Sequence, residues 1–109
     1  MSLVSSSSNS NNHNLYFSKD ELSKILNLYS KGVSQGEWRD YALEFNKHNA
    51  FFYIFKHTLA SPECILNKSY ENRRRRILYN LKSKKLNKKF ENLDQLISSL
   101  NRNFFKLIN

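Results

Sequence analysis

The sequence predicts a single α+β domain: an N-terminal helix, an antiparallel meander of four to five strands and a C-terminal helix. Three observations predict it. Apolar residues recur every three or four positions near both ends of the chain, over 22–33 and 93–107. Between these stretches the period shortens to two, and the change falls at Gly36. The length of 109 residues leaves room for one domain.

Residues 1–16 are rich in Ser and Asn and hold no Lys, Arg, Asp or Glu. They offer too little apolar surface to offset the entropy of ordering, so they read as a disordered tail ahead of a domain at 17–109. The first helix opens at Ser18, which can cap the amide of Glu21 while the Glu21 side chain reaches back. Phe17 and Leu22 can close a hydrophobic staple across that cap. Leu22, Ile25, Leu26, Tyr29 and Val33 form one apolar stripe, which runs the helix from Lys19 to about Ser34. Gly36 can adopt the left-handed conformation that closes the helix and turns the chain into a strand.

In the first strand Arg39, Tyr41, Leu43 and Phe45 share one face, and Trp38, Asp40, Ala42 and Glu44 share the other. Residues 46–49 suit a short hairpin loop. The second strand, 50–56, is apolar on both sides: Phe52 and Ile54 on one, Phe51, Tyr53 and Phe55 on the other. Such a strand either has a helix on each face or turns one face to a partner. The Phe51, Tyr53 and Phe55 stripe is expected to be core rather than a base-stacking surface. A third strand is expected at 64–68, a polar link at 69–72, a fourth strand at 75–81 and a weak fifth at 85–88. Asn92 caps the final helix, with Gln95 placed to reach back, and the apolar phase continues through Leu107.

The formal net charge is +9, and all of it lies in the second half. Residues 19–63 balance six Lys/Arg against six Asp/Glu; residues 64–109 set twelve against three. Arg73, Arg74, Arg75, Arg76, Lys82, Lys84, Lys85, Lys88 and Lys89 supply most of the excess. Concentrated cations of this kind neutralise phosphates, so the leading expectation is a non-enzymatic module binding RNA or DNA, with Tyr79 as an aromatic contact among them. The alternative expectation is a structural or adaptor protein that dimerises, or docks a protein partner, through the aromatic sheet face.

Catalytic patterns are poor. Cys64 is the single cysteine, which fits a reducing compartment, and a small apolar residue on a short strand is its expected role. His13, His48 and His57 have no metal-ligand spacing, and the only glycines, Gly32 and Gly36, form no phosphate loop. No cofactor is expected. No signal peptide or membrane-spanning run is apparent, and the expected location is the cytoplasm.

The seven residues Gly36, Glu37, Trp38, Arg39, Asp40, Tyr41 and Ala42 form a signature, with Glu21, Leu22, Ile25, Leu26, Tyr29 and Val33 before it. Ala50, Phe52, Phe55, Lys56, Leu66 and Lys68 follow it. Together these residues resemble an uncharacterised alphaproteobacterial family, the domain of unknown function numbered 2794. The chain differs from that pattern in lacking a glycine before the fourth strand and another before the last helix. The resemblance implies a bacterial cytoplasmic protein and supplies no reaction or ligand. Arg39 or Asp40 could belong to a ligand site, but a structural role is favoured: Asp40 accepting turn amides and Trp38 sealing the helix end.

Overall fold

A computed structural model of the chain describes residues 13–57 and 60–105. The expectations for residues 1–12 and for Leu107 lie outside them. The elements run α1 (Lys19–Ser34), β1 (Asp40–Phe45), β2 (Asn49–Phe55), β3 (Cys64–Glu71), β4 (Arg76–Ser83), β5 (Asn87–Phe90) and α2 (Leu93–Phe104). The strands pair antiparallel in chain order, so the sheet is a five-stranded meander.

Both caps of α1 form as the sequence indicates. Ser18 Oγ accepts from the Glu21 amide at 3.0 Å and Glu21 Oε1 accepts from the Ser18 amide at 2.8 Å. At the other end the Gly36 amide donates to Val33 O at 3.0 Å and the Glu37 amide to Gly32 O at 2.8 Å. That pair of hydrogen bonds needs a left-handed residue, and Gly36 supplies it with φ 76°. Asn92 caps α2 by accepting from the Gln95 amide at 2.9 Å; the reciprocal bond from Gln95 is not made.

Several strand boundaries differ from the sequence reading. β3 runs on to Glu71, because Ser69, Tyr70 and Glu71 pair with Leu78, Ile77 and Arg76. Ladder bonds are made by backbone, so polar side chains do not stop the strand. β5 begins at Asn87, because Ser83 and Leu86 exchange backbone bonds and leave Lys84 and Lys85 in the turn. Trp38 precedes β1 and is not part of its outer face. Ordered contacts also start ahead of Phe17: the Leu15 amide donates to Asn46 O at 2.8 Å, and Tyr16 O accepts from Lys68 Nζ at 2.9 Å.

Both helices cover the same face of the sheet. Ile25, Leu28, Leu96 and Leu100 pack with Ala50, Phe52, Ile54, Cys64, Leu66 and Leu81 in one core. Tyr41, Leu43 and Phe45 pair with Ile54, Phe52 and Ala50, so they turn to the helix side as well. Trp38, only 3% exposed, lies against Gly32 and meets Tyr29, Phe104 and Phe105 at ring separations of 6.4, 5.9 and 5.2 Å. It closes the end of the helix layer, the structural role expected of it.

The core also holds an ion pair. Lys68 alternates with Leu66 and Cys64 on the helix side of β3, and its Nζ lies 2.7 Å from Glu21 Oε1. The Tyr79 hydroxyl donates to the second oxygen of Glu21. Burial opposes ionisation of Glu21, but the hydrogen bonds from Lys68, Tyr79 and Ser18 outweigh it and hold the carboxyl below its ordinary range. Tyr79 moves the other way: burial and its bond to Glu21 push the phenol up.

Candidate functional site

The second face of the sheet carries no helix among the described residues. It is formed by the alternate set of side chains: Asp40, Ala42 and Glu44 on β1, Phe51, Tyr53 and Phe55 on β2, and Ile65, Asn67 and Ser69 on β3. Glu71 on β3, ion-paired with Arg76 on β4, then Leu78, Asn80 and Lys82 on β4 and Asn87 and Lys89 on β5 complete it. This corrects the expectation that Phe51, Tyr53 and Phe55 are core. Both sides of β2 are apolar, so alternation alone did not orient it; the helices settle on Ala50, Phe52 and Ile54, which are fully buried. The outer aromatics stay half-buried, with Phe51 and Tyr53 stacked at 5.7 Å.

The open face is polarised. Its β1 edge is acidic, and Tyr53 donates to Glu44 Oε1 at 2.5 Å. That bond, with burial and the Glu44 charge adding, pushes the Tyr53 phenol up to about 12. Lys82 and Lys89 stand across the sheet on β4 and β5, both exposed. Asn67 bridges to Asn49 Oδ1 and to the carbonyls of Ala50 and Lys68, each at 3.2 Å. Asn80 Oδ1 is buried at the base of this face without a hydrogen-bond partner among the described residues.

The basic run, continuous in sequence, is divided by the fold. Arg73, Arg74 and Arg75 occupy the β3–β4 hairpin loop and are exposed. Arg75 has φ 51°, a left-handed conformation that ordinarily favours glycine. Arg76 opens β4 and is tied to Glu71 at 2.9 Å and Glu91 at 3.7 Å. Lys84 and Lys85 form the β4–β5 turn at the other end of β4, about 25 Å from the arginines along a strand of this length. Lys88 points to the helix side of β5, where a groove of about 510 Å³ against α2 is lined by Lys88, Lys89, Asp94, Gln95 and Arg102. Tyr79, named with these residues from sequence, faces the helices and is bound to Glu21. It takes no part in the outer surface.

The carboxylates of the second half are already engaged. Glu71 and Glu91 pair with Arg76, and Asp94 lies 3.0 Å from Lys24 of α1. Among the described residues, Arg73, Arg74, Arg75, Lys82, Lys84, Lys85, Lys88 and Lys89 therefore have no carboxylate within 4.0 Å.

Of the signature, Gly36 closes α1, Trp38 is core, and Tyr41 stacks on Phe52 at 4.9 Å. The Asp40 carboxylate accepts from the Tyr41 amide at 2.8 Å and is exposed. The Arg39 amide donates to Phe55 O at 2.8 Å and its side chain is exposed, while Glu37 is half-buried at the helix exit. The signature builds a corner of the fold, and its Glu37 lines a cavity of about 270 Å³ together with Glu63, Ser83, Lys84, Lys85 and Asn103.

Cys64 is 1% exposed, and burial, with the Glu63 charge adding, pushes its thiol up to about 12. The folded protein should therefore leave a disulfide reagent such as dithionitrobenzoate unreacted at neutral pH, and denaturant should release one thiol per chain. Prompt reaction of the native protein would show that β3 opens readily. Among the described residues no group of three His, Cys, Asp or Glu side chains is placed to hold a metal ion, and no helix is long and apolar enough to cross a membrane.

Fold and site together define a small α+β protein with a helix-covered sheet face, an open sheet face and a cationic edge. The family model described as "Protein of unknown function (DUF2794)" matches residues 15–96, and the chain belongs to that family. The match runs from the first residue tied to the sheet into the first turn of α2. No curated protein and no solved structure matches the chain.

Proposed function

We propose that the protein is a non-enzymatic module that binds the phosphate backbone of RNA or DNA in the cytoplasm through Arg73, Arg74 and Arg75. The observation that carries this reading is the set of cations without carboxylate partners: the acidic groups of the second half are spent on Arg76 and Lys24, which leaves the hairpin arginines for an external anion. Phosphate contacts of this kind read charge and not sequence.

The test is fluorescence anisotropy of labelled single-stranded RNA and duplex DNA at about 50 and 200 mM salt. The chain with Arg73, Arg74 and Arg75 all changed to Ala should bind about tenfold more weakly and lose roughly two units of salt slope on a single strand, about 0.7 per phosphate contact. Unchanged affinity and slope in that variant would refute the reading.

A further inference from the structure

The open face has complementary edges. The register sets Glu44, Phe51, Asn67, Asn80 and Lys89 in one row across the five strands. Glu44 and Lys89 thus close opposite ends of the same row, about 19 Å apart at four strand spacings. Between the acidic and basic edges lie Phe51, Tyr53, Phe55, Ile65 and Leu78, all half-buried with no helix above them.

We propose that this face is a homodimer interface, two copies of the sheet packed face to face about a two-fold axis that runs along β3. Such an axis keeps each residue's position along the strands and exchanges left for right. β1 of one copy then lies over β5 of the other, and Glu44 of each copy meets Lys89 of the second, twice by symmetry. A two-fold axis across the strands instead sets β1 over β1 and β5 over β5, carboxylate on carboxylate and lysine on lysine. The charges therefore select one of the two ways of facing the sheets. Aligned sheets pack about 10 Å apart, close enough for these long side chains to meet.

The occupant is a second copy and not a nucleic-acid strand, because Asp40 and Glu44 set negative charge along one side of the stripe. The face measures roughly 24 by 20 Å, so the pair buries on the order of 1,000 Å² in total, at the lower limit for a specific interface. Interfaces near this limit belong to weak, transient associations, so the dimer is expected to be reversible. Both arginine hairpins stand at the same end of it. The inference is independent of phosphate binding, since Lys89 and Glu44 are outside the residues assigned to that contact.

Sedimentation equilibrium of the full chain without nucleic acid, from about 5 to 200 µM, gives the first readout. The mass should rise with concentration from 13.0 kDa toward twice that value. Carbodiimide coupling gives the second. A zero-length bond between Glu44 and Lys89 spans only two copies, because about 19 Å separates them within one. Glu44→Lys and Lys89→Glu should each weaken association about tenfold or more, and the two changes in one chain should restore it to within about threefold. A mass fixed at 13.0 kDa throughout, or a dimer lacking the Glu44–Lys89 bond, overturns the proposal. So does RNA binding by the monomer that is lost in Phe51→Ala. Glu44→Lys also removes the bond from Tyr53; should that variant unfold, the coupling of the unaltered chain still decides.

Discussion

Replacing Glu21 by alanine is expected to reduce the free energy of unfolding by about 3 kcal/mol, as breaking one side of a buried ion pair does. The change leaves the Lys68 ammonium, 9% exposed, with the Tyr16 carbonyl as its only remaining hydrogen-bond partner among the described residues. It also strips the Tyr79 hydroxyl of its acceptor and half of the α1 cap. Urea denaturation of three chains separates these effects: Glu21→Ala, Lys68→Met, and both together. The double variant should recover part of the loss, because it removes the lone buried charge that Glu21→Ala leaves behind. Equal instability of Glu21→Ala and the double variant would remove the ion pair from the account.

The same pair fixes a pH dependence. The folded carboxyl titrates below its ordinary value of 4.5, so the unfolded chain takes up this proton more readily as the pH falls. The stabilisation is fully present above the unfolded pKa and is lost as the pH drops through the lower, folded value. Denaturation midpoints should therefore fall below about pH 4.5, and the Glu21→Gln chain should lack that component of the fall.

Gly32→Ala should destabilise the fold by about 2 kcal/mol, lowering the melting temperature by roughly 10 °C, where the same change in an open helix stabilises by about 1 kcal/mol. A methyl group on Gly32 would stand 2.2 Å from Trp38 Cε3, 2.6 Å from Cδ2 and 2.8 Å from Cζ3. Those are atoms of a fused ring held by Tyr29, Phe104 and Phe105, so the ring cannot swing clear without disturbing both helices. Gly36→Ala is the contrast: nothing lies within 4 Å, and its cost, about 1 kcal/mol, comes from φ alone. Melting followed by Trp38 fluorescence reads both. A stable Gly32→Ala chain with unshifted emission would show that the indole is less confined than this packing implies.

The start of α1 was legible because its determinants are local: Ser18, Glu21 and the stripe beginning at Leu22 lie within one turn and a half. The strand order was legible for a related reason, since each strand pairs with its neighbour in sequence. The side of β2 that becomes core was not, because Phe51 and Phe52 are the same residue facing opposite ways and the helices that choose between them are remote in sequence. Lys68 offered a signal that went unused. A lysine in phase with Leu66 and Cys64 requires a buried carboxylate, and Glu21, a capping residue, is that partner. The basic run misled in another way: hairpins send sequence neighbours to opposite ends of a strand, so Arg74 and Lys84 share no surface patch.

The meander also sets an order of assembly. Each strand can add to the one synthesised before it, so the sheet closes through short loops and its contacts are mostly local. α1 is made first and must wait: the residues that bind Glu21 follow it by 47 positions at Lys68 and 58 at Tyr79. Tyr29 of its apolar stripe meets Tyr41 and Phe52 of the first hairpin, whereas Glu21 gains its side-chain partners only with β3 and β4. The capping box needs only residues of α1 and its cap, while the ion pair is added with β3 and the Tyr79 bond with β4.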